Sequence, residues 1–255
     1  MATRAVSGGA NFLVLPEYCG GLASDGAVLK PPSAPESEHV FLQGFLGFAK
    51  QHNVWVMLGS IAITGPDGKI LNRGIVIDDA GNIHSRYDKI HLFDVQLSAT
   101  ETYQESASVI AGHEAAIFDT PYGRMGHTIC YDLRFPQLFR VLAQAGAEII
   151  CIPSAFVKTT GQAHWHVLNR ARAIENGVFI VSPCATGDIP GGGSCYGHSL
   201  IVNPWGKIMA DAGEDTGIIH ANIDLEEVKA ARGRIPSLAH DRPFTITNNN
   251  SRSIA

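Results

Sequence analysis

Apolar residues along this chain fall into short unbroken runs, with stretches of helical periodicity between them. The runs NFLVLP (11–16), VWVMLGSIAI (54–63), EIICIP (148–153) and VFIVSP (178–183) are apolar at consecutive positions. That pattern predicts strands covered on both faces. RGIVIDDAGNIHSRYDK (73–89) predicts two strands joined at Asp79–Gly81, and EAAIFDTPYGRMGHTIC (114–130) a pair joined around Pro121–Gly123. GHSLIVNP (197–204) and GIIHANID (217–224) are expected to be strands as well.

Helical spacing appears in ESEHVFLQGFLGFAKQHN (36–53), where Phe41, Phe45 and Phe48 share a face. After Cys130, Pro136 suits a first helical turn, Leu138, Val141, Leu142 and Ala145 an apolar stripe, and Gly146 an end. TGQAHWHVLNRARAIENG (160–177) predicts a helix with Ala163, Val167, Ala171 and Ile174 inside and Gly177 as cap. LEEVKAARGR (225–234) predicts a short last helix. Hairpins mixed with strand–helix–strand units point to two sheets packed face to face, with helices outside.

With 255 residues, 45% of them hydrophobic, the chain suits one large α/β domain, residues 1–255, without a linker. The net charge of −5 and the lack of a Lys/Arg cluster argue against nucleic acid or an anionic membrane as partner. Apolar runs are far shorter than the roughly 20 residues that span a bilayer, and the first residues lack a signal-peptide core. Five scattered cysteines do not form a disulfide framework, so a reducing cytoplasm is expected.

Three of the predicted strands end on a chemically capable residue: Glu17 after LVLP, Lys89 in RYDKIH and Cys130 in GHTIC. Strand ends are where open α/β sheets display active-site groups. A free thiol is mostly protonated at neutral pH and needs a base, which Glu17 can be; Lys89 can hold an oxyanion. Each also has an ordinary reading: Glu17 ending a strand at the surface, Lys89 solvated, Cys130 packed in the core.

Other features carry less. His164 and His166 lie two apart on a helix and point to nearly opposite sides, so no metal site is expected from them. Ser199 in GHS is not the strained Gly-x-Ser-x-Gly elbow. GDIPGGGSCYG (187–197) lacks the Lys-Ser/Thr of a phosphate loop and suits a flexible loop or lid. Cys151 belongs to a core strand, Cys184 is ambiguous, Cys195 is expected to be exposed, and Cys19 is expected to pack near Glu17.

Taken together, LPEY (15–18), YDKIHLFD (87–94), CYDLRFP (130–136), TTGQAHW with RARAIENG, and YGHSLIVNPWG (196–206) resemble, in order, the signature segments of the nitrilase superfamily of carbon–nitrogen hydrolases. The resemblance runs from about Gly9 to about Pro243 and implies an αββα sandwich, no cofactor, and usually a homodimer. It implies Glu17, Lys89 and Cys130 as the catalytic set, Glu105 in TYQESAS as a supporting glutamate, and the Tyr131 backbone N–H beside the nucleophile as an oxyanion donor. Cys130-Tyr131-Asp132 differs from the Cys-Trp-Glu of nitrile-hydrolysing members. The segments resemble the amidase branch that includes ω-amidases and deaminated-glutathione amidases.

That branch implies a small amide substrate bearing a carboxylate, either deaminated glutathione or an ω-amide of a dicarboxylate. Arg134, four residues past Cys130, is then expected to grip the carboxylate, with an internal ion pair to Asp132 as the alternative. The family has a strand and most of a helix before the segment matching GGANFLVLPEY, where this sequence shows only MATRAVS (1–7). A chain lacking that first strand and most of that helix is therefore expected, with an exposed sheet edge prone to aggregation. The alternative to an active amidase is an inactive, truncated protein of this fold serving as a binding or structural subunit.

Overall fold

The computed structural model describes residues 1–247. Two six-stranded mixed sheets form its centre. The first contains β1 (Phe12–Val14), β2 (Ser33–Ala34), β3 (Trp55–Thr64), β4 (Ile70–Ile77), β5 (Ile83–Asp88) and β6 (Val109–Ile110). β1 and β2 run parallel to β3, β4 pairs antiparallel with β3 and β5, and β6 runs parallel to β4. The second sheet takes its strands in chain order: β7 (Ala116–Thr120), β8 (Gly123–His127), β9 (Ile149–Cys151), β10 (Phe179–Ser182), β11 (Leu200–Val202) and β12 (Ile208–Asp211). Its middle, β8–β9–β10, is parallel, and its flanks are antiparallel.

The alternation of side chains builds four layers. In β3, Trp55 and Met57 enter the core shared by the two sheets, while Val56 and Leu58 face the layer of α2 (Val40–His52). In β9, Ile149 and Cys151 meet that shared core, while Ile150 and Ile152 just beyond it face the layer of α3 (Pro136–Gln144) and α4 (Lys158–Asn176). The two periods of 2 explain why both strands read as continuous apolar runs. A short helix, α1 (Ala2–Ser7), and a last one, α5 (Glu226–Arg234), complete the set. Among the described residues no helix is long and apolar enough to cross a membrane.

The structure departs from expectation in several places. Residues 36–53 divide into a 3-10 turn, Glu36–Glu38, and α2 proper. Residues 217–224 form no strand; their alternating pattern serves instead to seat Ile223 on the inter-sheet core. α3 buries Leu138, Phe139, Leu142 and Ala143, leaving Val141 outside. α4 turns Val167 and Ile174 to solvent and buries Trp165, Asn169, Arg172 and Asn176. Its inner face is polar because these side chains find partners there: Asn169 Nδ2 donates to Trp165 O and Asn176 Nδ2 to Arg172 O of the same helix, and Arg172 Nε donates to Leu133 O. Cys195 is buried, not exposed.

Between the sheets, His127 at the end of β8 is fully buried and stacks on Tyr87. A Cβ on Gly74 of β4 would lie 2.2 Å from its ring, so only glycine admits the imidazole there. Burial pushes the His127 pKa down from 6.5 to about 3. The unfolded chain therefore binds a proton at this position that the folded chain refuses between pH 6.5 and 3. Stability from this group is present above 6.5 and is lost as the pH falls, by up to about 1.4 kcal/mol per unit. His127→Gln is expected to flatten the fall in urea-unfolding free energy between pH 7 and 5; an unchanged slope contradicts this.

Candidate active site

Four polar side chains from distant parts of the chain meet in the buried interior. Glu17 follows β1, Lys89 follows β5, Glu105 opens a short turn before β6, and Cys130 lies just beyond β8. All four are buried, and all four line one cavity. The Lys89 ammonium donates to Glu17 Oε1 at 2.9 Å and to Glu105 Oε2 and Oε1 at 2.8 and 3.0 Å. Burial acts to lower the Lys89 pKa, but the charges of Glu105 and Glu17 outweigh it, so the pKa stands well above the usual lysine value. Burial, together with the Glu17 charge, raises that of Glu105 against the pull of Lys89.

Backbone N–H groups complete the clamp. Ala155 N donates to Glu17 Oε2 at 2.8 Å, and Phe93 N to Glu105 Oε2 at 2.7 Å. Gly59 of β3 makes room for this meeting: a Cβ there would stand 2.0 Å from Leu15 O and 2.4 Å from Pro153 Cβ. Pro153 O in turn accepts the N–H of Cys130 at 2.9 Å.

The strand predicted to run into Cys130 stops at His127. Cys130 instead opens a single 3-10 turn, Cys130–Arg134, with a left-handed φ of 48°. Such a conformation is costly for a residue with a side chain and is held by its surroundings. Burial and the Glu17 charge push the Cys130 thiol well above its usual pKa, against the pull of Lys89. A sulfur so placed favours the protonated thiol, the weaker nucleophile of the two forms.

Two residues at the site, Asn72 and Tyr18, went unnoticed in the sequence, and a third, Asp132, was expected only as a partner for Arg134. Asn72 of β4 donates from Nδ2 to Glu17 Oε1 at 2.8 Å and to Glu105 Oε1 at 3.2 Å, so it shares with Lys89 the work of holding two carboxylates together. Asp132, fully buried, accepts from Tyr87 Oη and Ile129 N on Oδ2, and from His91 N on Oδ1, with the His91 ring at 2.7 Å. It ties the segment bearing Lys89 to the turn bearing Cys130. Tyr18, also with a left-handed φ (50°), lines the cavity with a buried hydroxyl that has no partner among the described residues. A polar residue inside a strand looks like any solvent-facing position, which hid Asn72; for Asp132, the bonds to Tyr87, Ile129 and His91 were not foreseen.

The remaining expectations sort as follows. Tyr131 lines the cavity. Arg134 does not, and it does not pair with Asp132; its guanidinium lies over the Tyr131 and Phe156 rings, with Nη1 3.3 Å from His164 Nδ1. Among the described residues it has no carboxylate partner. His164 and His166 diverge, the first toward Arg134 and the second toward Asp211. Cys19 donates to Ser60 O and is pushed up to about 12 by burial. Ser199 bonds the backbone of Cys184.

The glycine-rich segment lies between hairpin strands Thr186–Asp188 and Ser194–Tyr196 and sends Ile189 into the cavity wall. It rests on a second hairpin, Ser24–Leu29, where Ser24 N donates to Pro190 O at 2.9 Å and Ser24 Oγ to Gly192 O at 3.2 Å. Gly191 (φ 95°) passes so close that a Cβ would fall 1.7 Å from Ser24 O.

A carbon–nitrogen hydrolase family model matches residues 1–233. The chain is 37% identical over 252 residues to a deaminated glutathione amidase of Dictyostelium discoideum, covering 95% of this chain and 86% of that protein. It is 36% identical over 239 residues to the omega-amidase NIT2 of Homo sapiens, covering 94% and 86%. Its fold superposes on the NitFhit protein of C. elegans with a TM-score of 0.86 and 33% identity, over 95% of this chain and 59% of that longer one.

Asp132→Asn tests the tie between the segment bearing Lys89 and the turn bearing Cys130. The amide can still accept on one side, but its NH2 faces the Ile129 N–H, leaving a buried donor without an acceptor at a cost of about 1–3 kcal/mol. Lower unfolding free energy together with a reduced kcat is expected. Loss of stability with unchanged kcat in the folded fraction would show that Asp132 does not position the site.

Proposed function

The chain belongs to the carbon–nitrogen hydrolases of the nitrilase superfamily, and from that membership we propose that it cleaves the amide bond of a small carboxylate-bearing substrate through a thioester on Cys130. The observation that carries this reading is the Lys89 ammonium held between Glu17 and Glu105 in the cavity that Cys130 also lines. The substrate class follows from the relatives and from the cavity. Leu22, Leu29, Phe93 and Ile189 supply an apolar wall for a short carbon chain. Arg134, stacked beside that cavity and free of a carboxylate partner, supplies a fork for the far carboxylate. Deaminated glutathione and the ω-amide of a dicarboxylate both meet these demands.

Glu17 takes the thiol proton as Cys130 Sγ attacks the amide carbon. The carbonyl oxygen, now negative, is held by Lys89 and the Tyr131 N–H. The tetrahedral adduct collapses with cleavage of the C–N bond, and the proton on Glu17 passes to the departing ammonia or amine. Water then attacks the thioester, giving its proton to Glu17, and a second collapse releases the acid and restores the thiol. Glu105 and Asn72 keep Lys89 and Glu17 in register throughout. No cofactor enters this scheme. The chain is read as one catalytic domain. Apolar side chains exposed on α3 and α4, Val141, Val167 and Ile174, support a homodimer that covers them.

Cys130→Ala and Glu17→Gln are each expected to abolish ammonia release while leaving the melting temperature near that of wild type. More than about a tenth of wild-type rate in Glu17→Gln contradicts the general-base role, since such catalysis contributes roughly 10²–10⁴-fold. Arg134→Lys is expected to raise KM for carboxylate-bearing amides with little change in kcat, because lysine cannot present a bidentate fork. An unchanged KM overturns the carboxylate assignment.

A further inference from the structure

Away from the catalytic cavity, His166 of α4, His198 just before β11 and Asp211 at the end of β12 bring their polar atoms together, all within 4.8 Å of one another. None of the three lines the catalytic cavity. His166 Nε2 stands 3.0 Å from Asp211 Oδ2, and His198 Nδ1 stands 2.9 and 3.2 Å from Asp211 Oδ1 and Oδ2. We propose that these side chains form a binding site for a divalent transition-metal ion of the zinc type, ligated by His166 Nε2, His198 Nδ1 and one Asp211 oxygen, with water in the fourth position.

Spacing supports the assignment. Tetrahedral donors about 2.0–2.1 Å from a shared ion stand roughly 3.3–3.4 Å apart; both imidazoles already stand 3.0 and 3.2 Å from Asp211 Oδ2, and the two ring nitrogens lie within 4.8 Å of each other. The site is also built in advance. His198 holds a left-handed φ of 52°, its N–H donates to Gly213 O at 2.6 Å, and its carbonyl accepts the Trp165 indole N–H at 2.7 Å. The Tyr196 ring stacks on the imidazole at 4.5 Å and sets its plane. Asp211 Oδ1 accepts from Gly213 N at 2.9 Å. With side-chain exposures of 29%, 21% and 32%, the three groups remain open to an ion from solvent.

Two imidazoles and one carboxylate favour zinc, cobalt or nickel over magnesium or calcium, which prefer all-oxygen shells. Binding needs a lone pair on each ring nitrogen that now faces Asp211. A neutral ring provides it by carrying its proton on the opposite nitrogen, His166 Nδ1 or His198 Nε2, so no proton is lost overall; a charged ring releases one to solvent. The bound ion would join α4 to the strand that follows the glycine-rich segment. Tyr196 already bridges the two there, since a Cβ on Gly161 of α4 would lie 2.3 Å from its ring.

The test is a titration of the chelator-stripped protein with Co²⁺, followed by visible absorption, then displacement by Zn²⁺ followed by calorimetry. One equivalent is expected to bind, to raise the melting temperature, and to resist excess Mg²⁺. His166→Gln, His198→Gln and Asp211→Asn should each weaken binding at least tenfold and remove the thermal shift. His164→Gln and Cys130→Ala should leave both in place. Circular dichroism and the metal-free melting temperature establish that each variant is folded. The proposal is overturned if wild type binds no ion at millimolar concentration, if binding survives in the three ligand variants, or if Cys130→Ala abolishes it, which would place the ion on the nucleophile.

Discussion

A lysine ammonium enclosed between two carboxylates is the constraint on which the rest of this structure turns. Removing three charged groups from water costs several kcal/mol for each ion, and only close mutual pairing with further hydrogen bonds offsets that cost. Lys89, Glu17 and Glu105 meet the condition through Asn72 and two backbone N–H groups. Withdrawing Lys89 would strand two carboxylates, whereas withdrawing either glutamate leaves the other paired with the ammonium. Burial, together with the negative charge of Glu17, raises the pKa of Glu105 and of the Cys130 thiol, while both glutamates, against burial, keep Lys89 protonated.

Cys130 is bound to this cluster by backbone geometry more than by its side chain. A left-handed residue at the start of a tight turn holds its sulfur at a fixed point, and Asp132 secures the turn from beneath with acceptors for Ile129 and Tyr87. Gly59 and Gly74 matter for a related reason. Each leaves out a side chain where a neighbour from the second half of the chain comes close, Pro153 at one and His127 at the other.

Much of the architecture was legible because β3, β4, β9 and β10 lie inside the sandwich and carry apolar side chains on both faces. Glu17, Lys89 and Cys130 stood out because each follows such a run; Glu105 was noticed through resemblance alone. Legibility failed where burial is polar. α4 packs Asn169, Arg172 and Asn176 inward and leaves Val167 and Ile174 outside, so hydrophobic periodicity selected the opposite face. It failed again at residues 217–224, where an alternating pattern anchors one side chain without a backbone ladder. Asn72 and the cluster of His166, His198 and Asp211 could not be read from spacing, since only the folded chain brings their partners near.

The Ala155 N–H that reaches Glu17 belongs to the half of the chain that builds the second sheet, whereas Glu17 follows the first strand of the first sheet. Cys130 likewise leaves the second sheet, while Lys89, Asn72 and Glu105 come from segments threaded through the first. Neither half contains a working set of groups. As the chain is made, the proposed nucleophile follows its proposed base and precedes the backbone donor that steadies that base. The proposed catalytic set is therefore complete only once the two sheets have docked.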